Sequence, residues 1–438
     1  MYNNNTNTIY ALSSAPGKAG VSVVRISGTN AKDIFSIFSI SMPIPNQFKL
    51  ARLIHPKTNE TIDNTLVTYF KAPRSFTGED VVELHIHGSN AIKDLIFQIL
   101  SQQNHFVYAE AGEFTKRAFL NGKLDLLEIE GMADLINAET EFQRKQAFDQ
   151  MDGKLSNLYN KWKMQIVKNL SYLEATIDFV EEELPDHLLN EQLNEIKTLI
   201  KELDIHLNDS NKGERLRDGF HIIIAGAPNT GKSSLLNHLS NRDIAIVSSQ
   251  AGTTRDSIDA YLNIGGFPVV ITDTAGIRKA RSSIEDKGIE RAISKISDAD
   301  LVLWLMDSSK QTNKPAPENI RDRVIEVWTK NDISIHKNKE ISISTKKNTG
   351  ITQLIDIIEK NVENGCRTTG NYITKSRHRD AIEKVRYYLN SSLNHKKNDI
   401  ELISEDLRSA INSLGKITGN IDVEELLDVI FTDFCIGK

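Results

Sequence analysis

Apolar residues in this chain change their spacing along its length, and the changes mark out its parts. Residues 21–26 (VSVVRI) and 80–86 (DVVELHI) have strand length and strand spacing, and residues 91–100 follow with helical spacing. In the second of these strands Val82, Leu84 and Ile86 share one face, while Val81, Glu83, His85 and His87 share the other. From 124 to 208 the pattern is helical and charged, with few glycines and Pro185 as the breaker. Strand-like runs return at 220–225 (FHIIIA), 257–264, 267–272, 324–328 and 341–343, with a helix beginning at 234–239 and a hairpin turn at Gly265-Gly266. Helical spacing resumes at 377–393, 401–414 and 423–430. The expected architecture is therefore an α+β domain at 1–120 and a helical domain in two pieces, 121–215 and 376–438. An α/β domain with a doubly wound, mostly parallel sheet is inserted at 216–375.

The inserted part carries the chemistry. Gly226-Ala227-Pro228-Asn229-Thr230-Gly231-Lys232-Ser233 has the spacing G-x-x-x-x-G-K-[ST] of a P-loop, after a buried strand and before a helix that opens with Ser234. Its backbone N–H groups suit a phosphate, Lys232 adds a point charge, and the Ser233 hydroxyl suits magnesium. Asp273-Thr274-Ala275-Gly276 ends the strand at 267–272. Its Asp suits magnesium through water, and its Gly offers an N–H to a γ-phosphate. Thr329-Lys330-Asn331-Asp332 ends another strand, where a carboxylate accepts two hydrogen bonds from guanine that adenine does not donate. Ser344-Thr345-Lys346 ends a third and places a backbone N–H near the guanine oxygen. Four such elements in order, each at the C-terminal end of a strand, point to a GTPase domain.

Within it, Thr254 in Ala251-Gly252-Thr253-Thr254-Arg255-Asp256 is the candidate to meet magnesium and the γ-phosphate. Ile277 stands where a water-positioning glutamine is found in Ras-like enzymes, so another group must place the water. Glu285 is the candidate, with a surface carboxylate as the alternative. The Asn229 side chain suits a monovalent cation beside the phosphates.

Elsewhere the residues leave alternatives open. Arg25, inside an apolar strand, needs either an ion-pair partner or an anionic ligand. His85 and His87 with Glu83 are either metal ligands or a hydrogen-bonded sheet face. Lys123 is a surface lysine near a helix start. The terminal FTDFCIGK is either a frayed end with an idle thiol at Cys435, or a mobile tail delivering that thiol or the Lys438 ammonium to a site.

At 438 residues the length suits about three domains. A net charge of -6 places any RNA contact on a local patch. Two cysteines exclude a disulfide framework and a four-cysteine zinc site, and fit a reducing, cytoplasmic setting. No run approaches transmembrane length, and the polar start MYNNNTNTIY shows no presequence.

The stretches VSVVRISG, SFTGEDVVELHIHG, GEFTKRAFLNGKLDL, GAPNTGKSSLLN, AGTTRD, DTAGIR, IEDKGIERA and the terminal CIGK together resemble the MnmE (TrmE) family of tRNA modification GTPases over essentially the whole chain. The resemblance implies a folate-binding, dimerising first domain in which Arg25, Glu83, Lys123 and Lys438 bind 5-formyltetrahydrofolate or methylenetetrahydrofolate, the one-carbon donor. It implies potassium at Asn229 with Ser248, Gln250 and Thr253, magnesium at Ser233 and Thr254, and a water oriented by Glu285. It also implies a homodimer whose GTPase domains meet in the triphosphate state. An FAD-containing partner forms a hetero-oligomer with it, and an aminomethyl or carboxymethylaminomethyl group is installed on the wobble uridine of certain tRNAs. Three positions depart from the family. Thr329 replaces an asparagine, which weakens the contact bracing guanine and P-loop. Lys18 and Ala19 replace Arg-Gly. Ser248 and Gln250 are variable positions. The other reading of the GTPase motifs is a GTP-regulated ribosome-assembly factor, but such a factor usually carries an appended RNA-binding unit or a second GTPase domain, and neither is found.

Overall fold

The computed structural model describes residues 7–178, 186–242, 244–246, 259–273, 299–310, 313–333, 341–367, 370, 373–396, 399–419, 430, 434 and 437, with backbone alone at 176–178 and 186–189. Ser248, Gln250, Thr253, Thr254, Thr274, Ala275, Gly276, Glu285, Cys435 and Lys438 lie outside the described residues. The chain divides into two compact units, one of residues 1–133 with 415–438 and one of residues 134–414.

The first unit is built on a six-stranded sheet of β1 (Thr8–Leu12), β2 (Ala19–Ser27), β3 (Lys49–Ile54), β4 (Thr61–Phe70), β5 (Val81–Gly88) and β6 (Phe106–Tyr108). Its order is β3-β4-β5-β2-β1-β6, antiparallel except for the β1–β6 pair. The alternation in the sequence sets its faces. Val24, Ile26, Val82, Leu84 and Ile86 pack on one side with Ile34 of α1 (Asp33–Ile37) and Ile96 of α2 (Asn90–Ser101). Arg25 and Glu83 are register partners on the other side. There Ile9, Ala11 and Phe114, the last from α3 (Glu113–Leu120), form a smaller core with Phe76. A further cluster joins Leu126 and Ile129 of α4 (Leu126–Ile136) to Ile430 and Phe434.

The second unit resolves the long helical pattern into separate helices, α5 (Glu141–Met151), α6 (Lys154–Asp178), α7 (Asp186–Asn208) and α8 (Ser210–Asp218). The break before α5 is a capping box: Thr140 accepts from the Gln143 backbone, and the Gln143 side chain accepts in return. The five-stranded sheet follows: β7 (Phe220–Gly226), β8 (Asp259–Ile264), β9 (Phe267–Asp273), β10 (Leu301–Asp307) and β11 (Val324–Thr329), in the order β11-β10-β7-β9-β8. All its pairs are parallel except β8–β9. β7 is covered on both faces, as its unbroken apolar run requires. Ile222 and Ile224 pack on α9 (Lys232–Ser240) and α10 (Ile351–Cys366), while Ile223 and Ala225 face Val302 and Ile320. Among the described residues, the strand expected at 341–343 is a single parallel bridge, Trp328 to Ser342. α11 (Ser376–Asn394) and α12 (Ile400–Thr418) complete the described helices.

The chain leaves β7 toward β9 and β8 on one side, then returns to β10 and β11 on the other. This puts the switch point of the sheet at the C-terminal end of β7, where open α/β sheets bind ligands.

Candidate nucleotide site and a second site in the first unit

The P-loop begins where β7 ends. Gly226 has φ 140°, and a Cβ there would lie 2.5 Å from the Leu305 carbonyl, so the close approach to β10 requires glycine. Thr230 donates to the Ala227 carbonyl at 2.8 Å, closing the loop on itself. Lys232 opens α9, is buried, and reaches the Gly226 and Ala227 carbonyls at 3.1 and 2.9 Å. Its ammonium is thereby held over the loop, at the end of α9 whose free N–H groups favour an anion.

Asp273, fully buried at the end of β9, accepts from the Ser233 hydroxyl at 2.5 Å. A hydroxyl and a carboxylate converging beside a phosphate loop are a donor set suited to a hard divalent cation such as magnesium. Asn229 is exposed in the loop with φ 63°. Ser234 follows Ser233 in the first turn of α9.

The base side is assembled from β11 and the segment after it. The Thr329 hydroxyl donates to the carbonyls of Thr230, at 2.7 Å, and Met306, at 3.1 Å. The Thr329 hydroxyl thus ties the P-loop to the end of β11. Lys330 pairs with Asp307 at 2.6 Å. Burial works against the Asp307 charge, but Lys330 and Ser309 hold its carboxyl below the usual range. Asp332 accepts from Ser344 at 2.8 Å, and this bond first of all holds its carboxyl below the usual range. Thr345 and Lys346 follow in the turn that the Ser344–Thr349 bridge closes. Asn229, Thr230, Gly231, Lys232, Ser233, Ser234, Asp273, Thr329, Lys330, Asp332, Ser344, Thr345 and Lys346 thus lie in P-loop, strand-end and turn segments at this edge of the sheet.

In the first unit Arg25 donates to Glu83 at 2.9 Å, so the ion pair is present. The rings of Phe76 and Phe114 lie 5.4 and 5.8 Å from its guanidinium carbon. Sequence reasoning named neither ring as functional, although both lie in the motif stretches SFTGED and GEFTKR. Lys123 is exposed and donates to the Pro73 carbonyl at 3.1 Å. The described part of the tail is docked rather than frayed. Ser13 donates to the Gly437 carbonyl at 3.0 Å, and a Cβ on Gly437 would collide with the Leu12 carbonyl. Leu12 follows Ala11, the register partner of Arg25. The tail therefore approaches the strand end next to Arg25. The guanidinium, the carboxylate and two aromatic rings are donor, acceptor and stacking groups of the kind a folate needs.

His87 contacts Asp63 at 2.7 Å, and His85 lies 3.4 Å from Glu83. Of this pair only His87 is hydrogen-bonded, to Asp63, while the buried His85 Nε2 makes no hydrogen bond; among the described residues no group of three or more His, Cys, Asp or Glu side chains is arranged to hold a metal. Cys366 is buried, and burial pushes its thiol up to about 12, which leaves it inert. No described helix is long and apolar enough to cross a membrane.

Comparison with known proteins places these sites in a family setting. A profile described as the MnmE helical domain matches residues 126–435, and one described as GTP-binding protein TrmE N-terminus matches residues 8–123. The helical-domain match encloses the five-stranded sheet. The chain is thus an α/β P-loop domain inserted into a helical one, after an α+β first domain. A tRNA modification GTPase MnmE of Rickettsia akari is 45% identical over 450 residues, covering 98% of this chain and 100% of the relative. Proteins of the same name from Rickettsia rickettsii and Paramagnetospirillum magneticum are 46% and 44% identical, again over 98% of this chain and covering 100% and 99% of those relatives.

Proposed function

We propose, from the premise that this chain belongs to the MnmE family of tRNA modification GTPases, that it is a potassium-activated GTPase of the cytoplasm. With an FAD-containing partner it adds an aminomethyl or carboxymethylaminomethyl group to the wobble uridine of certain tRNAs. The observation that carries the nucleotide half is the convergence of Lys232, the Ser233–Asp273 pair and Asp332 at one edge of a doubly wound sheet.

Lys232 and the P-loop N–H groups bind the β- and γ-phosphates, and Asp332 selects guanine. Ser233 and Thr254 are the residues that would hold magnesium, and Asn229, Ser248, Gln250 and Thr253 those that would hold potassium. The two cations supply positive charge where negative charge builds up in phosphoryl transfer. Glu285 orients the attacking water. Thr274, Ala275 and Gly276 complete the nucleotide-binding set, with the Gly276 N–H offered to the γ-phosphate. In the first unit, Arg25, Glu83, Lys123 and Lys438 bind the formyl- or methylene-tetrahydrofolate that supplies the one-carbon unit.

Homodimer formation is supported by an exposed apolar strip on that unit. Leu50 and Leu66 are register partners and are 73% and 44% exposed; Phe48, 61% exposed, sits edge-on to His85 beside them. The test is GTP hydrolysis by the purified chain in potassium and in sodium chloride. Faster turnover in potassium, lost in Lys232→Ala, is expected; equal turnover in both salts removes potassium from the reading.

A further inference from the structure

We propose that Arg117 is a positioning residue of the site in the first unit: it clamps the segment 73–80 to α3 and so sets where Phe76, Arg25 and Lys123 stand. The inference rests on the folate reading above and deepens it.

Arg117 lies within α3 and is only 8% exposed. One of its guanidinium nitrogens donates to the two oxygens of Glu79 at 3.2 and 3.1 Å and to the Asn7 carbonyl at 3.0 Å. The other donates to Glu113 at 2.9 Å. A single buried cation thus holds a carboxylate from the segment and a carboxylate from the first turn of α3. Each carboxylate belongs to a stretch that carries a ring against Arg25. Phe76 shares the segment with Glu79, and Phe114 directly follows Glu113. Ser27, in the same strand as Arg25, donates to Glu79 at 2.7 Å, so β2 is tied to the same point.

The segment also reaches Lys123. Asn121, at the C-terminal end of α3, donates to the Thr77 carbonyl at 2.7 Å, and Lys123 donates to the Pro73 carbonyl. Gly78, at φ 78°, passes so close that a Cβ there would lie 3.1 Å from the Asn121 Cβ and 3.3 Å from the Lys123 Cγ. A shift of the segment would therefore be felt at Arg25 and at Lys123 together.

Burying a guanidinium with two carboxylates adds little stability over an apolar group of similar shape. What the ions supply here is direction, because a planar fork fixes the carboxylates it holds and with them the angle between segment and helix. The tolerance is small. Ring and cation attract to about 6 Å, and the two rings already stand at 5.4 and 5.8 Å from the Arg25 guanidinium carbon. A displacement of about 1 Å would release it.

The test is binding of 5-formyltetrahydrofolate to the full chain and its variants by calorimetry. Arg117→Gln should weaken it by about tenfold, the worth of a charge-assisted contact put out of place. In a Phe76→Leu background the same change should cost about threefold or less, because the ring through which the clamp acts is already gone. A loss of equal size in both backgrounds would overturn the inference, since general loosening of the unit does not depend on that ring. A folded Arg117→Gln chain that binds like wild type would overturn it too. Glu113→Gln decides the matter if Arg117→Gln does not fold, because it removes one arm of the clamp and leaves the Arg117–Glu79 pair in place. Its affinity should fall by about threefold or more, and wild-type affinity in that variant overturns the inference. If the wild-type chain does not bind 5-formyltetrahydrofolate, the folate reading fails and takes the inference with it. Binding lost in Arg25→Ala but unmoved in Arg117→Gln and Glu113→Gln keeps the reading and overturns the inference alone.

Discussion

Replacing Asp332 by asparagine should convert a guanine site into one that prefers xanthine. In the wild-type chain one carboxylate oxygen accepts from Ser344 at 2.8 Å, and Ser344 is buried. That bond holds the carboxyl below its ordinary range, so both oxygens remain acceptors throughout the neutral region. In Asp332→Asn the Ser344 hydroxyl still needs an acceptor and keeps the amide oxygen, which directs the NH2 toward the base. One of the two guanine donors then faces a donor. Loss of a charge-assisted hydrogen bond and creation of an unmatched donor weaken GTP by about 2–4 kcal/mol, or about 30- to 1000-fold. Xanthine carries a carbonyl at the 2-position, which accepts from the new NH2, so XTP should bind the variant better than GTP does. Displacement titrations of GTP and XTP against both proteins measure the exchange. If the variant holds GTP within about threefold of wild type and gains nothing for XTP, the base does not sit on Asp332 and the specificity argument is refuted.

Glu285→Ala should leave GTP binding intact and lower single-turnover hydrolysis by about 100-fold; unchanged turnover removes Glu285 from the mechanism. Asn229→Ala should abolish any advantage of potassium over sodium, and persistent stimulation in that variant would place the cation site elsewhere. Gly437→Ala should undock the tail, because its Cβ collides with the Leu12 carbonyl. Weaker binding of 5-formyltetrahydrofolate by calorimetry is expected, and unchanged affinity would separate the tail from the folate site. His206 gives a pH dependence. Burial, then the charge of nearby His378, pushes it down to about 4, with Asp209 opposing and the Tyr159 hydroxyl 3.0 Å from Nε2. The folded chain binds fewer protons there than the unfolded chain, so this stabilisation is complete above about pH 6.5 and is lost as pH falls toward 4, a change of about 3 kcal/mol. Hydrogen exchange in α7 should accelerate over that window in wild type and less in His206→Gln; equal acceleration would assign the effect to another group.

The parts of the molecule that were legible in the sequence are those set by local pattern. The run FHIIIA followed by GAPNTGKS is β7, loop and α9, because a strand buried on both faces and a glycine-framed turn each leave a short-range signature. The alternation in DVVELHI sorted Val82, Leu84 and Ile86 from Glu83 correctly because side chains of a strand alternate by geometry. What could not be read depends on distant partners. Thr329 looked like a loss, since nothing in the sequence shows that its hydroxyl meets a carbonyl 99 positions earlier. The tie of Lys330 to Asp307 appears only when β10 and β11 pair. The tail looked frayed because Gly437 meets Leu12 only through the fold. Residues 341–343, apolar enough for a strand, form a single described bridge, since short apolar runs do not specify how far pairing extends.

The link between the nucleotide site and tRNA chemistry is read in the nucleosides of tRNA. Total tRNA from a strain lacking this gene would be digested and its nucleosides measured by mass spectrometry, with the wild-type gene or a Lys232→Ala copy returned. Loss of the aminomethyl-type wobble uridines is expected, restored by the wild-type gene and not by the Lys232→Ala copy. Wobble uridines unaltered by the deletion would contradict it and turn attention to the ribosome-assembly reading.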